Sequence, residues 1–176
     1  MNTQEEAEKI FCQGRKDHLF NHESGLDDLI QLRAYEYIYR SGIYWPTFNF
    51  QKGLEALVSL KSAKHIYYAG LHWKQFDFST GMKAMVELQN SEFLFYAGTH
   101  WRIFDTVEGS KALLAWKDLP FIYKAGAMWK DFDYENGWRE LERQVREGRK
   151  WRGKAFENQR WRLALHAIWK GILQAV

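Results

Sequence analysis

Residues 70–81 read GLHWKQFDFSTG and residues 98–109 read GTHWRIFDTVEG, and the match between them decides the fold. The same frame appears at 42–53 as GIYWPTFNFQKG and at 126–137 as GAMWKDFDYENG. The four leading glycines, Gly42, Gly70, Gly98 and Gly126, are spaced by 28 residues. Each is followed at fixed distances by a tryptophan (Trp45, Trp73, Trp101, Trp129), a phenylalanine (Phe48, Phe76, Phe104, Phe132), an Asn or Asp, and a second glycine (Gly53, Gly81, Gly109, Gly137). Register held over this many columns without an insertion identifies an internal repeat, which governs everything else that is read from the chain.

Working outward, each period reads as two short helices. Ile66, Tyr67, Gly70, Trp73 and Phe76 recur at three- and four-residue steps, the signature of one helical face, and predict a first helix over about 63–75. Ser62, Asn90 and Asp118 fall just before it as N-cap candidates, and Pro120 fits a first turn. Asp77, Asp105 and Asp133 cap the second helix, with Asp105 and Glu108 at capping-box spacing. The expected fold is all-α: an α-solenoid-like array of 28-residue two-helix repeats, forming a single repeat domain over 1–176. A degenerate N-terminal repeat occupies 1–34, four full repeats fill 35–149, and a C-terminal capping helix lies within 150–176. The glycines predict packing, because a missing Cβ admits the Trp and Phe of the adjoining copy.

The first copy is worn. It keeps Ile10, Phe11, Gly14, Phe20 and Gly25 but has Asp17 in the tryptophan column, as suits a terminal repeat with one face in water. In the C-terminal segment, Trp161, Leu165, Ile168, Trp169, Ile172 and Leu173 form an apolar stripe, read as docking on the open end of the array rather than on a membrane.

Composition bounds the function. The 176 residues include nine Trp, nine Tyr and twelve Phe, too aromatic for a disordered chain. A single cysteine, Cys12, rules out an internal disulfide and is read as a buried thiol, and the start MNTQEEAEK lacks the basic and apolar regions of a signal peptide. No stretch has the roughly 18 apolar residues of a spanning helix. A soluble, cytoplasmic protein without membrane contact is expected.

No nucleophile elbow, phosphate loop or zinc signature is present, so no enzyme, cofactor or metal is expected. The Asp column is assigned to capping and the Trp column to the core rather than to base stacking. His72 and His100 share a column, but equivalent helices stand about 8–10 Å apart, too far for one zinc ion. His18 and His22 flank a predicted helix break at Asn21, and His65 shows no ligand spacing.

The charged columns remain. Lys83, Lys111 and Arg139 share one position on the second helix, and Lys74, Arg102 and Lys130 share another on the first. Stacked, they would align positive charge suited to phosphates, with Tyr68 and Tyr96, expected to be exposed, available to bases. Interspersed Glu87, Glu108 and Asp131 favour an ordinary solvated face. Protein binding is therefore the first expectation and nucleic-acid binding the alternative. Residues 1–36 are net acidic and residues 138–176 net basic, which suits a monomer or a weak head-to-tail association.

Overall fold

The computed structural model describes residues 3–146, and every element among them is helical. The helices are α1 (Thr3–Lys16), α2 (His22–Gln31), α3 (Tyr35–Tyr44), α4 (Phe50–Ser59), α5 (Ala63–His72), α6 (Phe78–Glu87), α7 (Ser91–His100), α8 (Thr106–Trp116), α9 (Leu119–Met128) and α10 (Tyr134–Arg146). The expected C-terminal capping helix falls outside the described residues. None of the described helices is long and apolar enough to cross a membrane.

The chain forms two compact units, divided after Phe104. In the first, α3 packs against α1 and α5, and α5 against α7, while α2, α4 and α6 each lie against the odd-numbered helices before and after them. In the second, α8, α9 and α10 each pack against the other two. The core of the first unit is drawn from one column per helix type: Ile38, Ile66 and Leu94 on the odd helices, Leu29, Leu57 and Met85 on the even ones, all at 0% exposure.

Tryptophan and glycine form the recurring join of the first unit. Trp45 lies over Gly14 and Gly25, Trp73 over Gly42 and Gly53, and Trp101 over Gly70 and Gly81. A Cβ on Gly42 would stand 2.3 Å from Trp73 Nε1, and one on Gly70 2.3 Å from Trp101 Nε1. Each indole N–H donates to a main-chain carbonyl at the floor of its slot: Trp45 to Phe11 at 3.2 Å, Trp73 to Tyr39 at 2.9 Å, Trp101 to Tyr67 at 3.0 Å. Phe20, Phe48 and Phe76 close the second glycine of each slot from within the same copy. Packing is thus the reason for the glycines, and the Trp column belongs to the core.

Helix ends follow the expected caps with three corrections. Asn49, Asp77, Asp105 and Asp133 all accept main-chain N–H bonds at the starts of the even helices. Asn90 caps α7, but Ser62 and Asp118 make no side-chain cap bond. The odd helices stop sooner than the apolar spacing suggests: α5 ends at His72, and Trp73 is already extended at φ −74°, ψ 137°, which swings the indole onto the preceding pair. Cys12 is half-buried rather than buried.

The even helices end through left-handed residues, Arg33, Lys61, Gln89 and Lys117, with φ from 50° to 56°. At Lys61 the N–H groups of Lys61 and Ser62 bond back to the carbonyls of Val58 and Leu57, the paired bonds of a Schellman turn. At the first end of the chain, Gln13 and Asp28 are exposed. Their columns hold Ser41 and Ala69, and Ala56 and Ala84, which are buried. Long polar groups thus stand in the first copy at positions that later copies fill with small buried ones.

Candidate functional site

Tyr68 and His72, and Tyr96 and His100, stand one helical turn apart on α5 and α7, so each pair shares a face. Tyr39 on α3 completes a band with them. Its hydroxyl is held above the usual tyrosine pKa by burial first and by Glu36 second, and it shares a hydrogen bond with His72 Nδ1 at 2.7 Å. The Tyr67 hydroxyl, likewise raised by burial, meets His100 Nδ1 at 2.9 Å. The Tyr68 ring lies nearly parallel to His72, 11° between planes and 6.1 Å between centres. Tyr96 packs 5.9 Å from Tyr67, and its hydroxyl donates to Glu92 at 3.3 Å.

These contacts correct the expected exposure of Tyr68 and Tyr96. Both are half-buried, wedged between rings of their own and the preceding helix, and their faces are not open platforms. His72 and His100, weighed from the sequence only as metal ligands, are the exposed members of the band. The signal that could have found it was the Tyr-to-His spacing of four, repeated 28 residues on.

The predicted cations are exposed but do not act alike. The Arg102 guanidinium sits 5.2 Å above the Phe78 ring. Arg139 is paired with Glu135, and Lys111 stands 3.9 Å from Glu108, each within its own helix. Lys74 follows Trp73 in the α5–α6 connection, Lys83 lies on α6, and Lys130 follows Trp129 between α9 and α10. Lys74, Lys83 and Arg102 belong to the first unit, Lys111, Lys130 and Arg139 to the second.

A third arrangement was invisible in sequence because its members are 29 residues apart. His65, 3% exposed, bonds Ser62 Oγ through Nδ1 at 2.6 Å and Glu36 Oε2 through Nε2 at 2.9 Å. A carboxylate at Nε2 fixes the proton there, so the Ser62 hydroxyl donates to Nδ1. This order resembles a proton relay, but the enclosed imidazole has no approach for a substrate. It ties α3 to α5 and engages the hydroxyl that would otherwise cap α5. Burial holds the His65 pKa below the ordinary histidine value, against the opposing pull of Glu36. His22 makes a comparable join, from Gly14 O at 2.8 Å to Thr47 Oγ1 at 2.9 Å.

Among the described residues, no three His, Cys, Asp or Glu side chains gather closely enough to hold a metal ion. Fold and site together define an all-α protein whose distinctive surface is a tyrosine–histidine band. No protein-family model matches the chain, no curated protein matches it, and no solved structure matches it.

Proposed function

We propose that this chain is a non-enzymatic binding module, an α-solenoid-like array of 28-residue helix pairs, that recognises a protein partner through the tyrosine–histidine band of α3, α5 and α7. The observation that carries the proposal is the band itself: Tyr39, Tyr68, His72, Tyr96 and His100, half-buried or exposed and braced by hydrogen bonds and ring contacts. Tyrosine is enriched in interface cores and at hot spots because it offers a large amphipathic surface. Rings already held in place lose little further freedom on binding.

The alternative is a phosphate backbone held by Lys74, Lys83, Lys111, Arg102, Lys130 and Arg139. Two features weigh against it. Lys111 and Arg139 each stand beside a carboxylate of their own helix, and Tyr68 and Tyr96 are half-buried beside Tyr67. The polar replacements Gln13 and Asp28 also favour a monomer over head-to-tail stacking at the first end.

The test is a pair of measurements. Affinity capture with the wild type and with a Tyr68→Ala, His72→Ala, Tyr96→Ala variant should recover a partner that the folded variant loses. Labelled duplex and single-stranded nucleic acid at about 50 and 200 mM salt provide the second. Binding that falls roughly a thousandfold or more over that span, with a slope flattened by Lys83→Gln, Lys111→Gln and Arg139→Gln together, would instead establish phosphate recognition.

A further inference from the structure

The slot that receives an indole in the first unit has a further copy in the second. Gly126 on α9 and Gly137 on α10 stand in the columns of Gly42 and Gly53, and Phe132 in that of Phe48. Tyr123 stands in the column of Tyr39, whose carbonyl accepts the Trp73 indole N–H. Gly126, Gly137, Phe132 and Tyr123 lie within one compact unit. Phe132 closes Gly137 from within its own copy, 2.5 Å from a Cβ placed there, as Phe48 closes Gly53.

The ring from the following copy is what differs. A Cβ on Gly42 or Gly70 would stand 2.3 Å from an indole, whereas among the described residues one on Gly126 would meet Phe132 first, at 3.4 Å. At Gly137 the next neighbour is Ile122, at 3.7 Å, where Gly53 has the Trp73 ring at 3.1 Å. Gly126 and Gly137 are buried all the same, as Gly42 and Gly53 are.

The chain itself carries rings of the right kind. Residues 147–176, outside the described residues, include Trp151, Trp161 and Trp169. In the three slots that hold an indole, the tryptophan comes 31 residues after the first glycine, as Gly14 and Trp45, Gly42 and Trp73, and Gly70 and Trp101. From Gly126 that spacing leads to Glu157, and Trp161 is the tryptophan nearest to it. Phe156 is nearer still but has no N–H to give the carbonyl. Trp161 follows the end of α10 by 15 residues, enough to turn back along a 13-residue helix that is about 20 Å long.

We propose that Trp161, from this chain's own C-terminal segment, seats over Gly126 and Gly137 and donates its indole N–H to the Tyr123 carbonyl. The slot selects its occupant by shape and by chemistry together. Two missing side chains admit a ring wide enough to span both, and a carbonyl at the floor rewards the one aromatic side chain with an N–H donor. Tethering gives this indole a high effective concentration, which favours it over a second copy. The inference is independent of the proposed partner face.

The experiment is a double-mutant cycle on the full chain, read by melting temperature. With no ring above it, Gly126→Ala would stabilise, because alanine is the better helix former and Phe132 leaves room for its Cβ. With Trp161 seated, Gly126→Ala lowers the melting temperature of the wild type. The same substitution raises it in a Trp161→Ala background, while Trp151→Ala and Trp169→Ala backgrounds keep the wild-type sign. Indole proton exchange followed by NMR gives a second readout. The Trp161 proton exchanges at least about tenfold more slowly than those of Trp151 and Trp169. Gly126→Ala removes that difference and leaves the Trp73 proton unchanged.

A higher melting temperature for Gly126→Ala in the wild type overturns the proposal. So does a sign reversal in the Trp151→Ala or Trp169→Ala background in place of Trp161→Ala, which would assign the slot to another ring. Sedimentation showing a dimer that Gly126→Ala dissociates would seat a second copy's indole there, and overturns it as well.

Discussion

The indole N–H of Trp73 donates to the carbonyl oxygen of Tyr39, 34 residues earlier, at 2.9 Å. That bond forms only because the ring stands where the side chains of Gly42 and Gly53 would otherwise be. One residue thus joins α5 to the pair before it by apolar burial and by a directional bond together.

Trp73→Ala empties the space over Gly42 and leaves only Phe48 over Gly53, and should cost about 3–5 kcal/mol, the usual range for removing a large buried aromatic. Gly42→Ala tests the other side. Helix propensity favours alanine by about 1 kcal/mol, but a Cβ 2.3 Å from the indole forces repacking, which typically costs about 1–3 kcal/mol. Net destabilisation is expected, and urea denaturation curves of both variants measure it.

Ser41 is fully buried, and its hydroxyl has no hydrogen-bond partner among the described residues. The same column carries Ala69, Ala97 and Ala125, each at 0% exposure. Ser41→Ala removes an unsatisfied donor at almost constant shape, and should stabilise by about 1 kcal/mol or more. A rise in the denaturation midpoint at unchanged slope is the expected reading.

His65 links stability to pH. Its folded pKa lies below the ordinary value of 6.5, so the unfolded chain takes up a proton before the folded one does. The contribution is therefore complete above about pH 7 and is lost as pH falls through 6.5 towards the folded value. Phe93 and Phe121 occupy the same column in later copies, which makes His65→Phe the natural comparison. Melting temperatures from pH 7.5 to 5 should fall less steeply in the variant.

Lys61 adopts φ 55°, a region that costs a side-chain-bearing residue about 1–2 kcal/mol. Lys61→Gly removes this cost and gives some of it back through the freer unfolded chain. A net gain of about 0.5–1 kcal/mol is expected by thermal or chemical denaturation.

What could be read from the sequence divides along physical lines. The helix starts were visible because capping residues and the 28-residue spacing mark them locally, and the Trp-over-Gly join was visible because a large ring and a missing side chain recur together. Helix ends were not, since Arg33, Lys61, Gln89 and Lys117 turn the chain left-handed without the glycine that normally announces it. The half-buried state of Tyr68 and Tyr96 depends on neighbouring rings, which periodicity within one helix does not reveal. The pairing of Glu36 with His65 depends on two helices meeting, as does the Arg40 guanidinium between Phe11 and Tyr37. Sequence alone therefore located the helix starts and not the contacts between helices that half-bury Tyr68 and Tyr96.

Trp45 and Trp73 each reach the helix pair immediately before their own, and the slots at Gly42 and Gly53 and at Gly70 and Gly81 receive the indole of the copy that follows. Residues 63–90 accordingly carry a key for one neighbour and a lock for the other, and in Tyr67, Gly70 and Gly81 they reproduce the partners that Trp73 finds in Tyr39, Gly42 and Gly53. Splicing a second 63–90 in frame after Asn90 would give the new junction the same indole, glycine and carbonyl partners that Trp73 and Trp101 have now. The fold therefore sets the grammar of a join and leaves the number of joins open, so the extent of the surface can be lengthened without redesigning its interior.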